Sequence, residues 1–156
     1  MGDATQRAAG RAAEARRDAH DLARLSQLNA PTALTVAARA AAWGKDADAL
    51  RDDLAAFDAT GVRGPTVTLR RAATAGALAA LGGRRDEAAR VLAEGQQRLL
   101  DGGVRFEAAP VAIDAAATLG RDDPAAVVAA ETAKPILERL GARPFLAILD
   151  VVGSPG

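Results

Sequence analysis

Apolar positions recur along this chain at helical spacing, and Gly or Pro interrupts them at short, regular intervals. The first run, about residues 4–28, is largely polar, with Leu22, Leu25 and Leu28 forming an apolar stripe near its end. Asn29-Ala30-Pro31 breaks it, and Pro31 suits the first turn of a second helix that reaches Trp43 and stops at Gly44. Asp46 is placed to cap a third helix, in which Leu50, Leu54 and Phe57 share one face. Gly61 ends it, because a left-handed residue after a helix costs glycine little. Pro65 opens a fourth helix that runs to Leu81, before Gly82-Gly83. A fifth covers Asp86 to Leu100, with Ala88, Val91, Leu92, Gly95 and Leu99 on one stripe, and ends at Gly102-Gly103. The sixth spans 106–119, with Pro110 either in its first turn or kinking it. Asp123-Pro124 starts a seventh that reaches Gly141 and bends at Pro135. A short eighth, Pro144 to Val151, buries Phe145 and Leu149. The pattern predicts seven to eight helices.

Three helix ends carry nearly the same tripeptide: Gly61-Val62-Arg63, Gly103-Val104-Arg105 and Gly141-Ala142-Arg143. The interval between them is about 40 residues, the period at which helix hairpins stack into solenoids. If Ala88 marks the tight crossing of a hairpin, Gly76 and Gly95 fall on the other small positions of a tetratricopeptide unit. Ala72, Ala75 and Ala79 stand where that motif has bulky side chains, so the chain resembles a degenerate, tetratricopeptide-like repeat. The expected organisation is a polar helix or linker over 1–30, helical repeats forming a short right-handed solenoid over 31–152, and a flexible tail over 153–156.

Composition supports the all-α class. Hydrophobic residues make up 49% of the chain but aromatics only 3%, with one Trp and no Tyr. Alanine, the best helix former, supplies about a quarter of all residues and lets helix axes approach closely. Lys plus Arg and Asp plus Glu balance at 20 each, so no overall field favours nucleic acid or an anionic membrane. The absence of Cys makes a cytoplasmic location the simplest expectation. No apolar run approaches the roughly 20 residues of a membrane span.

A longer succession of phrases runs from Pro31 to Asp150. It includes Ala80-Leu81-Gly82-Gly83-Arg84-Arg85-Asp86-Glu87-Ala88, Leu119-Gly120-Arg121-Asp122-Asp123-Pro124 and Leu137-Glu138-Arg139-Leu140-Gly141-Ala142-Arg143-Pro144-Phe145-Leu146. In that order they resemble the C-terminal helical-repeat region of large bacterial signalling proteins. Those pair a class III nucleotide cyclase, or a DNA-binding regulator head, with an ATPase module and a tetratricopeptide-like tail. The resemblance implies a regulatory tail that binds a protein or peptide, or upstream domains of its own polypeptide. It implies no cyclase or ATPase activity, since no phosphate loop ending in Lys-Ser or Lys-Thr occurs.

Candidate chemistry is sparse. His20 is the only histidine, lies on the polar first helix without a nucleophile on its face, and reads as a surface residue. Asp52 and Asp53 point about 100° apart on a helix, and Asp122-Asp123 is explained by capping, so neither pair predicts a metal site. Arg7, Arg11, Arg16, Arg17 and Arg24 are offset by acids of the same helix and read as a solvated face. Trp43 reads as a plug in the core or between repeats. No catalytic, cofactor or metal residue is expected. The remaining candidates are Arg63, Arg105 and Arg143. As cations just beyond helix C-termini they complement the helix dipole; stacked along one edge, they would form a row for acidic side chains or a peptide carboxylate. The expected function is partner binding in a shallow groove on the concave face. Self-association as a homodimer, or a free-standing adaptor, is the alternative.

Overall fold

A computed structural model describes residues 2–152, with side chains described from residue 10 onward. These residues form eight helices: α1 (Gly2–Leu25), α2 (Ala30–Trp43), α3 (Ala47–Ala59), α4 (Pro65–Leu81), α5 (Arg85–Asp101), α6 (Arg105–Leu119), α7 (Pro124–Arg139) and α8 (Arg143–Val152). The tail expected over 153–156 lies outside the described residues. No helix among those described is long and apolar enough to cross a membrane.

Local chemistry sets the boundaries. The Asp46 side chain accepts the Ala49 N–H at 3.0 Å to open α3, and Asp123 accepts the Ala125 N–H at 2.9 Å to open α7, with Pro124 at its first position. At the far ends, Gly103 and Gly141 turn left-handed, with φ of 75° and 63°. The next amides, of Val104 and Ala142, reach back to the carbonyls of Leu99 and Leu137 at 2.8 and 2.9 Å, so those carbonyls are satisfied. Pro110 and Pro135 lie inside α6 and α7, which continue through them.

The short connections make sequential antiparallel hairpins of α2–α3, α4–α5 and α6–α7, while α1 lies along α2 and α8 rests on α6 and α7. Helices α2, α4, α6 and α8 form an inner row, each touching the next. The row curls enough for α2 to touch α6 directly. All four inner helices begin at the same edge. Arg70, in the second turn of α4, reaches Thr32 near the start of α2 and Glu107 near the start of α6, and Phe106 of α6 meets Phe145 of α8.

Helix α6 sits at the centre and is buried continuously from Ala108 to Leu119. Leu92 and Leu137 pack around its Ile113, and with Leu50 in a second cluster against α2 and α4 these are the largest fully buried apolar side chains, each worth about 1.5–3 kcal/mol of burial. Alanines fill most of the remaining core, and Ala88 is fully buried where α4 and α5 approach. The two glycines expected at small positions behave differently. A Cβ on Gly76 would lie 3.1 Å from Val91 Cγ1 and 3.2 Å from Leu92 Cγ, whereas one on Gly95 would meet nothing within 4 Å. Gly76→Val is therefore expected to cost about 1–3 kcal/mol by overpacking. Gly95→Ala should instead be neutral or stabilise by up to about 1 kcal/mol through helix propensity. Urea titration of both variants checks this, and equal destabilisation would mean that Gly95 also marks a tight crossing.

Candidate functional site

Polar groups are placed in three settings: under α1, inside the inner row, and along the two edges where helices connect. Under α1 lies Asp53, on the same face of α3 as Leu50 and Phe57 and 0% exposed. Its carboxylate accepts from Arg16 Nε at 2.8 and 3.0 Å and hydrogen-bonds His20 Nε2 at 2.5 Å; Arg16 also donates to the Ala49 carbonyl. The hydrogen bond to Asp53 pushes the Arg16 pKa up, and partial burial opposes it. His20, expected on the surface, keeps only 26% of its side chain exposed. The correction has a simple cause. A carboxylate on the buried face of α3 needs partners, and α1 supplies them across the helix interface.

Inside the inner row, Asp114 of α6 accepts the Trp43 indole N–H at 2.8 Å and Arg39 Nε at 3.2 Å, both from α2. Arg70 bridges α4 to Glu107 and Thr32. These side chains lie between the inner helices. The space left among Thr35, Arg39, Arg70, Thr74 and Asp114 is about 10 Å³, room for one water. At this point α2 touches α6 directly. Trp43 is the plug between units that the sequence suggested. Gln96 of α5 is likewise spent on structure, donating to the carbonyls of Ala108 in α6 and Ala129 in α7.

The edges differ from one another. On the edge where α3, α5 and α7 begin, Arg84 pairs with Glu87, Arg85 with Asp123 and the Leu119 carbonyl, and Arg121 with Asp122. On the opposite edge lie the three sequence candidates. Arg63 sits in the connection before α4, and Arg105 and Arg143 are the first residues of α6 and α8. The structure brings them to one side of the molecule, and none forms an ion pair or side-chain hydrogen bond with a described residue. Arg98 and Arg139, in the last turns of α5 and α7, join them with the same freedom.

Apolar groups accompany these cations. Phe106 is 51% exposed and meets the Phe145 ring edge-to-face at 5.7 Å between centroids, with Arg105 and Arg143 flanking the pair in sequence. Val62 and Leu140 are also exposed on this edge. Beside Arg63, a cleft of about 480 Å³ is floored by Phe57, Val62 and Val67. Its rim holds the Arg71–Asp58 pair at 2.6 and 2.7 Å. The Arg71 hydrogen bonds hold the Asp58 carboxyl below its ordinary pKa, so this pair is present above the usual carboxylate range and is lost only as pH falls through the lowered value.

Periodicity and spacing did not point to the buried Asp53 and Asp114, nor to Arg16, His20 and Arg39 as their partners. A signal was there: each carboxylate interrupts an otherwise apolar helix face, and such a group requires a partner. Among the described residues, no group of three or more His, Cys, Asp or Glu side chains is gathered as a metal site. Comparison with protein-family models, with curated proteins and with solved structures finds no match to this chain.

Arg16→Met keeps the aliphatic stem but leaves the fully buried Asp53 carboxylate with His20 alone. Urea unfolding followed by Trp43 fluorescence is expected to show a loss of about 3 kcal/mol. Arg51→Met breaks only the exposed pair with Asp48 and should cost under about 0.5 kcal/mol. Equal losses would refute the role assigned to burial.

Proposed function

We propose that this chain is a non-catalytic protein-interaction module, the tetratricopeptide-like C-terminal part of a bacterial signalling protein, and that it contacts its partner along a helix edge. The single observation that carries this is the division of its polar groups. Buried Asp53, Asp114 and Gln96 are all engaged in joining one helix to another, and no buried polar side-chain atom among the described residues lacks a partner. The exposed cations beside Phe106 form no ion pair or side-chain hydrogen bond with a described residue. A protein or peptide, or an upstream domain of the same polypeptide, is the partner class that such an edge suits. In this reading the chain acts in the cytoplasm, the hairpins form a short right-handed solenoid, and neither nucleic acid nor membrane is bound.

Affinity capture with crosslinking, from lysate of a bacterium that encodes the chain, tests the proposal. A specific protein should be enriched over a control carrying scrambled surface residues on the same core. Absence of any enriched protein would refute it.

Self-association is a second reading, favoured by one observation. Leu25 and Leu28, at the turn between α1 and α2, are 85% and 87% exposed, with Leu22 half exposed beside them. Light scattering across a concentration series should then show a dimer that Leu25→Glu with Leu28→Glu dissociates. A strict monomer at high concentration removes this reading.

A further inference from the structure

Helices packed side by side lie about 8–10 Å apart. Helices α4, α6 and α8 are successive neighbours in the inner row, so packing alone would set Arg105 and Arg143 at their starts, and Arg63 just before α4, in a row, or ladder, at about that interval. The connections on this edge, 60–64, 102–104 and 140–142, contain no carboxylate. Those on the opposite edge contain Asp46, Asp122 and Asp123. The ladder is therefore cationic in a chain of zero formal net charge, and the charge is local.

From this we infer that the edge binds an extended acidic segment of a partner protein, with carboxylates at every third residue and apolar side chains between them. The inference rests on the partner-binding reading above and gives that partner its chemistry. The spacing selects the conformation. A polyproline II segment has three residues per turn and rises about 9 Å in each, so every third side chain faces the same way at the interval of the ladder. A β-strand alternates faces, and residues three apart would point in opposite directions.

The apolar groups of the edge select against a plain polyanion. Phe106, next to Arg105 in sequence, stands half exposed against Phe145, and the cleft floored by Phe57, Val62 and Val67 opens beside Arg63. An apolar side chain of the segment enters that cleft while a neighbouring carboxylate meets Arg63. Asp58, Asp101 and Glu138 lie near the ladder in the last turns of α3, α5 and α7. They would repel the continuous charge of a nucleic acid or an anionic bilayer, whereas a peptide with spaced carboxylates avoids them.

The test uses the full chain and a fluorescein-labelled nonapeptide, Glu-Pro-Leu repeated three times, read by anisotropy. Its control has the same composition and charge with the three Glu contiguous, and arms with oligo-dT and with phosphatidylserine vesicles test the other anion classes. Specific binding of the repeating peptide is expected, with the contiguous control about tenfold weaker because only one rung is matched. Arg105→Glu with Arg143→Glu should also weaken the repeating peptide about tenfold, two attractions becoming repulsions. Arg17→Glu on α1, exposed and away from this edge, should leave binding unchanged. The inference is overturned if the repeating peptide fails to bind, if both peptides bind alike, if the double variant binds like the parent, or if oligo-dT or vesicles bind more tightly. The peptide comparison needs only the parent protein, so it holds even if the double variant, checked by circular dichroism, does not fold. Capture of a partner that survives the double substitution would remove this inference and keep the broader reading, while failure to capture any protein would remove the broader reading itself.

Discussion

A helix surrounded by protein has no face left for water, and α6 is in that position from Ala108 to Leu119. It touches α2, α4, α5, α7 and α8, and room for five neighbours around one rod exists only if its side chains are short. Ala108, Ala109, Ala112, Ala115, Ala116 and Ala117 meet that requirement, with Val111 and Ile113 as the larger inserts. The alanine richness of the chain is then a packing condition as well as a matter of helix propensity. Larger residues in this helix would push its neighbours apart.

Short side chains leave a second problem. Alanine surfaces are smooth, and one helix can slide past another by a turn with little change in apolar contact. Buried carboxylates remove that freedom, because a shifted helix would leave a desolvated charge without its partner. Asp53 ties α3 to α1 through Arg16 and His20, and Asp114 ties α6 to α2 through Trp43 and Arg39. Glu107 ties α6 to α4 through Arg70. Each bond joins helices that are not consecutive in the chain, the contacts for which connection length provides no register. The same bonds lie between the inner helices and leave about 10 Å³ of space among Thr35, Arg39, Arg70, Thr74 and Asp114.

Helix boundaries were readable because they depend on local chemistry. Asp46 and Asp123 cap where their positions suggested, and Gly61, Gly103 and Gly141 take the left-handed turn that ends a helix. Hairpin order followed from the recurrence of those turns. The inner contacts were not readable, since nothing in periodicity says that α2 reaches α6. His20 was misplaced for the same reason: its own helix is polar, and its partner lies 33 residues away. The arginines show the finest limit. A connection of three residues puts the end of one helix and the start of the next almost together, so Arg105 and Arg143 read as residues following a C-terminus when they begin α6 and α8.

That shift of position changes what the arginines mean. After a C-terminus, a cation is stabilising; in a first turn it faces the positive end of the dipole and costs about 0.3–1 kcal/mol. The carbonyls of the preceding helices offer Arg105 and Arg143 little in return, because amides of Val104 and Ala142 already occupy those of Leu99 and Leu137. The other edge shows what local pairing looks like, with Arg84, Arg85 and Arg121 each beside a carboxylate. Pairing within the described residues therefore accounts for Arg84, Arg85 and Arg121 on one edge and for Arg70 and Arg71 on the other, but not for Arg63, Arg105 and Arg143. Two successive inner helices thus begin with an arginine placed unfavourably against the dipole, Arg105 beside the exposed Phe106 and Arg143 beside the partly buried Phe145.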